Sequence, residues 1–214
     1  MSEPRTVLLL RHGRTAWNLE RRIQGQLDSG LDDVGVAQAR AAAERIAAYR
    51  PALLWSSDLS RARDTAVAVG EATGLEVVTD PRLREYHLGS LQGTTYDEIA
   101  ETMPEVFAGF RRGDYAAADG ESTAEVAARV SAALRDLLAV VPPGGLGVAV
   151  SHGAAIRVGL AELMGWDAAV GVSLGALGNC CWAVVTESEA DGPLRLNAYN
   201  REAPPDFAPS PSVG

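Results

Sequence analysis

The sequence predicts an α/β protein, a three-layer sandwich with a mostly parallel central sheet flanked by helices. Two observations carry that expectation. Short apolar runs alternate with alanine-rich stretches of helical period along the whole chain, the order that lays helices over the faces of a sheet. Two of those runs, Val7–Leu10 and Leu146–Val150, are continuously apolar, as strands buried on both faces are. Each leads, one residue on, into His-Gly, at His12-Gly13 and His152-Gly153. In a parallel sheet both imidazoles would emerge at the carboxyl-end edge, where such folds keep their ligands.

The elements follow in order. Val7–Leu10 reads as the first strand, and Thr15–Gly30, polar and glycine-containing, as a loop or a short helix followed by a loop. Asp32 or Asp33 can cap a helix patterned by Val34, Ala37, Ala41, Ile46 and Ala47. Ala52–Ser56 is the expected second strand. Ser57–Arg61 then turns into a helix running to Ala72, and Glu76–Thr79 is the third strand. From Arg82 to Asp119 the pattern is broken by Gly89, Gly93, Pro104, Gly109 and Gly113 into short pieces, the composition of a lid or substrate wall. Ser122 and Glu125 form a capping-box pattern for a helix that ends before Pro142-Pro143. Leu146–Val150 is the expected central strand, with the helix Ala154–Met164 behind it. Cys180–Thr186 and Leu194–Tyr199 close the sheet as an antiparallel pair. With 214 residues, 47% of them hydrophobic, one domain is expected over residues 1–202. The Pro- and Ser-rich tail, 203–214, is expected to be disordered.

Charge narrows the function classes. The net charge of −9 comes from 28 acidic residues against 19 arginines, with no lysine. That balance speaks against nucleic acid and anionic membrane as partners. The apolar run after Met1–Thr6 is too short for a signal or membrane segment, so a cytoplasmic location is expected. Cys180 and Cys181 are neighbours, which disfavours an ordinary disulfide between them, and they read as inert core thiols. Neither histidine has a partner at metal-ligand spacing, so no metal and no cofactor is expected. Arg11, beside His12, offers a planar fork suited to phosphate oxygens. The plainer alternative is that both histidines are hydrogen-bonded core residues, Arg61 a snorkelling surface cation and Glu85 a surface carboxylate.

Arg11-His12-Gly13-Arg14-Thr15-Ala16-Trp17-Asn18 resembles the signature of the histidine phosphatase superfamily, the phosphoglycerate-mutase-like proteins. Further blocks resemble that family in its own order: Ser57–Ala62 with Asp64-Thr65-Ala66, Leu83-Arg84-Glu85 with Gly89 and Gly93, Gly120-Glu121-Ser122, and Ser151-His152-Gly153. The resemblance implies a phosphoglycerate-mutase-like fold and phosphomonoester hydrolysis through a phosphohistidine. It implies His12 as nucleophile, Arg11, Arg61 and His152 around the phosphoryl oxygens, and Glu85 as proton donor. Asn18, Gln24, Gly25, Thr15 and His87 are the expected substrate contacts. The expected partner is a phosphorylated small molecule, with a homodimer left open.

Within the superfamily, Gln24–Asp28, Ser56–Leu59, Arg82–Glu85 with His87-Leu88-Gly89, Gly178-Asn179 and Leu196-Asn197 are similar to actinobacterial phosphatases acting on glucosyl-3-phosphoglycerate. Three alternatives stay open: a broad-specificity phosphatase, a cofactor-dependent phosphoglycerate mutase, and a phosphate-binding protein without turnover. Only 66 residues, 86–151, separate Glu85 from His152. That is short of the insertion carried by cofactor-dependent mutases, and a shorter lid admits water to the phosphohistidine.

Overall fold

A computed structural model describes residues 3–115 and 117–203. Strand β1 (Thr6–Arg11) is followed by α1 (Ala16–Leu19) and α2 (Asp33–Ala47). Next come β2 (Leu53–Ser56), α3 (Ser60–Thr73) and β3 (Val77–Thr79). The glycine-broken segment folds as 3-10 turns at Pro81–Leu83 and Gly89–Leu91, then α4 (Tyr96–Thr102) and α5 (Pro104–Arg111). The chain closes with α6 (Thr123–Val140), β4 (Leu146–Ser151), α7 (Gly153–Leu163), α8 (Ala168–Ser173), β5 (Trp182–Glu187) and β6 (Leu194–Arg201).

Among the described residues the strands form one sheet in the order β3-β2-β4-β1-β5-β6. The first four are mutually parallel, and β5 and β6 are added antiparallel. This is the expected mostly parallel α/β sheet. Successive side chains of a strand point to opposite faces, and β1 feeds two cores accordingly. Val7 and Leu9 join Ala149 and the apolar stripes of α6 and α7, including Val130, Leu134, Ile156 and Leu160. Leu8 and Leu10 join Val148, Val150 and the alanine-rich faces of α2 and α3, including Ala39, Ala43, Ala62 and Ala66. Alanine on the α2 and α3 faces lets the helices lie close to each other and to the sheet. Gly13 and Gly35 mark the tightest approach, since a Cβ on Gly13 would stand 2.5 Å from the Gly35 carbonyl oxygen.

The register of β1 against β4 pairs Arg11 with Ser151. His12 and His152 therefore leave adjacent strands at the same level, and the His12 amide donates to the Ser151 carbonyl at 3.0 Å.

The turn expected at Ser57–Arg61 leads into α3 at Ser60, with the Ser57 hydroxyl hydrogen-bonded to His152 and the Asp58 carboxylate holding Arg84. Several boundaries differ from expectation, each for a local reason. Strand β5 starts at Trp182 and not Cys180. Cys180 has a left-handed backbone (φ 53°), and its amide turns back to the carbonyls of Arg11 and His12. Helix α4 was hidden among glycines, yet a complete Thr95–Glu98 capping box opens it. Helix α8, capped by Asp167, was not anticipated. The expectation for the tail concerns residues of which 204–214 lie outside the described ones. Among the described residues no helix is long and apolar enough to cross a membrane.

Candidate functional site

The carboxyl ends of β1, β2 and β4 open on a cleft of about 360 Å³ whose lining includes Arg11, His12, Asn18, Gln24, Gly25, Arg61 and Glu85. The lining also includes Trp17, Arg21, Arg22, Tyr86, Tyr96, Tyr115 and Arg157. Five arginines and one carboxylate line this cleft in a protein of net charge −9. Arginines gathered in this way make a local anion site against the overall charge.

His12 is nearly solvent-free, and its Nδ1 lies 2.7 Å from its neighbour's carbonyl, Gly13 O. A carbonyl can only accept, so that contact fixes the proton on Nδ1 and leaves the Nε2 lone pair available. Burial, reinforced by Arg61 and Arg11, holds the His12 pKa well below the usual 6.5. The imidazole is therefore neutral, the form that can act as a nucleophile. His152 stands beside it with ring centroids 5.1 Å apart, and its Nε2 is 2.9 Å from Ser57 Oγ. Burial, then Arg61, His12 and Arg11, holds His152 well below 6.5 as well. Its Nδ1 is buried with no hydrogen-bond partner among the described residues.

Arg11 donates from Nη1 to the Leu177 carbonyl, and its Nε is unpartnered. Arg61 is fully buried; it donates to Leu27 O at 2.9 Å and Gly25 O at 2.7 Å, and its Nε is also unpartnered. The snorkelling alternative for Arg61 thus fails on burial. Its pKa is drawn down to about 10 by burial, with Glu85 acting in the opposite direction, which leaves it charged at neutral pH. The orphaned nitrogens of Arg11, Arg61 and His152 come from three different elements around His12. Buried polar atoms without partners are costly unless a ligand satisfies them.

Glu85 sits on the N-terminus of α7. Its carboxylate accepts from the amides of Ala155 at 2.9 Å, Ala154 at 3.1 Å and Tyr86 at 3.1 Å. Behind it, Arg129 donates to the carbonyls of Arg82, Arg84 and Glu85 and pairs with Glu121 at 2.8 Å, fixing the Glu85 backbone. Glu121, the other acidic candidate in this region, is spent there. Although burial acts to raise its pKa, Arg129 and the His87 amide bring it below the ordinary value.

Asn18 closes a capping box with Thr15, and its Oδ1 accepts from Thr15 N and from Asn179 Nδ2. The amide Nδ2 is left as a neutral donor toward the cleft. Two expected contacts need correction. Thr15 is fully buried behind the wall, bonding Asn18 and Gln24, so it positions the lining without reaching a ligand. His87 is exposed and lies outside the cleft lining, because its amide and carbonyl are tied to Glu121. Sequence reasoning missed Arg129, Tyr96, Tyr115 and Arg157 as parts of the site. Arg157 had a signal: it lies four residues past Gly153, on the same helix face.

The two depressed histidines have a consequence for stability. Below pH 6.5 the unfolded chain takes up protons that folded His12 and His152 refuse. Stability therefore falls as the pH drops from 6.5 toward the folded values, by up to ~1.4 kcal/mol per pH unit for each group. Denaturant midpoints of the ligand-free protein should be clearly lower at about pH 5.5 than at about pH 7, before carboxylates begin to titrate. Equal midpoints would show that one or both imidazoles are charged in the folded state.

Known proteins resemble this chain over most of its length. A family model described as histidine phosphatase superfamily (branch 1) matches residues 7–200. Glucosyl-3-phosphoglycerate phosphatase of Mycobacterium tuberculosis is 39% identical over 213 residues, covering 93% of this chain and 96% of that protein. A solved structure of mycobacterial glucosyl-3-phosphoglycerate phosphatase in complex with VO3 superposes with a TM-score of 0.87 at 40% identity, covering 92% of this chain and 100% of the other. A Yersinia pestis protein named "Probable phosphoglycerate mutase GpmB" is 40% identical over 164 residues, 76% of each chain.

Proposed function

The chain belongs to the histidine phosphatase superfamily and is a phosphatase, and on that premise we propose that it hydrolyses glucosyl-3-phosphoglycerate through a phosphohistidine on His12. The observation that carries this reading is the set of unsatisfied buried nitrogens of Arg11, Arg61 and His152 beside a neutral His12, with Glu85 in the same cleft lining. Transfer of a phosphoryl group asks for an in-line nucleophile, cations on the equatorial oxygens and a proton for the leaving oxygen. In the first step the His12 Nε2 lone pair attacks phosphorus and the P–O ester bond breaks. The leaving oxygen takes a proton from the Glu85 carboxyl and departs as an alcohol. In the second, water attacks phosphorus, gives its proton to Glu85, and the N–P electron pair returns to Nε2. Arg11, Arg61, His152 and Asn18 hold the oxygens throughout. Each such donor is worth on the order of 10²–10³ in rate.

The substrate follows from the relatives' names and from the cleft. Its lining offers aromatic faces at Trp17, Tyr96 and Tyr115, suited to a sugar, and arginines suited to a carboxylate. Release of free phosphate from a panel of phosphorylated metabolites tests the proposal. The kcat/KM for glucosyl-3-phosphoglycerate should exceed that for 3-phosphoglycerate by at least about tenfold, or roughly 1.4 kcal/mol of differential transition-state binding. Comparable hydrolysis of unrelated monoesters would reduce the reading to a broad-specificity phosphatase. Efficient interconversion of 2- and 3-phosphoglycerate primed by 2,3-bisphosphoglycerate would make it a mutase.

A further inference from the structure

Helix α7 brings one more cation into the cleft. Arg157 is only 9% exposed, yet it forms no ion pair among the described residues. What holds it is neutral: Nη2 donates to the Gly113 carbonyl at 3.3 Å, and the guanidinium lies over the Tyr115 ring at 5.0 Å. These contacts orient the fork and leave its charge uncompensated. The other cleft arginines are committed. Arg11 and Arg61 face His12, Arg22 pairs with Glu20, and Arg21 pairs with Asp97. Its planar fork matches a carboxylate, and its place in the cleft lining leaves the donors not used by Gly113 open to an anion.

Position along the helix says which anion. Gly153 packs against Arg11, where a Cβ would stand 3.3 Å from Nε. The next amides, of Ala154 and Ala155, hold Glu85. Arg157 follows one turn after Gly153, a rise of about 6 Å. The order along α7 is thus phosphate pocket, proton donor, unpaired cation. In glucosyl-3-phosphoglycerate the phosphate occupies O3, so the sugar must take O2 and the carboxylate is C1. Read from the phosphorus, that molecule presents phosphate, ester oxygen and then carboxylate, in the same order.

We propose that Arg157 is the carboxylate-binding residue of the cleft, selecting phosphomonoesters that carry a carboxylate a few bonds from phosphorus. It rests on the phosphatase reading and names the group that discriminates among its substrates. The test compares 3-phosphoglycerate with glycerol 3-phosphate, which have the same primary ester and differ in a carboxylate against a hydroxymethyl group. Wild-type protein should favour 3-phosphoglycerate in kcat/KM by about tenfold or more, the scale of a charge-assisted contact. In Arg157→Met that ratio should collapse toward about one, chiefly through KM for 3-phosphoglycerate, and Arg157→Lys should restore part of it. Arg157→Gln, which keeps a donor for Gly113, is a second neutral variant should the methionine variant fold poorly, and it should lose the ratio too. Equal losses on both esters, or a wild-type ratio near one, would overturn the proposal. Failure of the glucosyl substrate alone looks different: the ratio still depends on Arg157, while glucosyl-3-phosphoglycerate is no better than 3-phosphoglycerate.

Discussion

Replacing His12 by alanine is expected to lower kcat for phosphomonoester hydrolysis by on the order of 10⁵–10⁶, the scale on which enzymes lose a covalent nucleophile. The size follows from the geometry. In the tautomer that lets His152 donate to a phosphoryl oxygen from Nδ1, its Nε2 lone pair is taken by Ser57, and Arg11 and Arg61 only donate, so nothing else in the phosphate pocket replaces the His12 Nε2 lone pair. The phosphate pocket itself should survive, because Arg61 is anchored by the carbonyls of Gly25 and Leu27 independently of His12. Inorganic phosphate should therefore still raise the Tm of the alanine variant. A loss below about 10², close to that of a single oxygen-binding donor, would demote His12 to a ligand for the phosphate.

The second large effect concerns Glu85→Gln. With an alkyl phosphate, whose leaving oxygen needs a proton, the loss should fall in the general-acid range of roughly 10²–10⁴. With a nitrophenyl ester the phenolate leaves unaided, so single-turnover phosphorylation of His12 should be far less affected. Steady-state turnover of the same ester can still fall, because Glu85 also accepts the proton of the attacking water. Glutamine retains an oxygen for the Ala154 and Ala155 amides, so the α7 N-terminus should hold its shape. Equal losses on both esters in the phosphorylation step would move the acid role away from Glu85. Glu121, locked onto Arg129, is not placed to inherit it.

The two histidines of the candidate site were legible because they follow the strongest periodic signals in the chain. Two continuously apolar strands, each running into His-Gly, fix both imidazoles once the strands are parallel neighbours, and the β1–β4 register makes them so. Arg61 and Glu85 needed the ordered motif blocks, since neither a helix start nor a glycine-rich loop reveals where a side chain ends. The rest of the cleft was much less legible. Tyr96 and Tyr115 come from the segment where glycine and proline break periodicity, and the approach of Tyr115 to Arg157 depends on tertiary packing. His87 shows the converse error. It lies two residues from Glu85 in sequence, but backbone bonds to Glu121 hold that stretch so that His87 faces solvent. Arg129 was invisible for another reason: it acts on carbonyls, and sequence says nothing of where a carbonyl points.

Rapid quench with phosphorus-labelled substrate, followed by mapping of the labelled peptide, tests the account most directly. A phosphohistidine is acid-labile and alkali-stable, and the label should accumulate within a turnover and map to His12. It should be absent from His12→Ala and should build up in Glu85→Gln turning over the nitrophenyl ester. Label on His152, label persisting in His12→Ala, or burst-free turnover with no adduct in Glu85→Gln would contradict it.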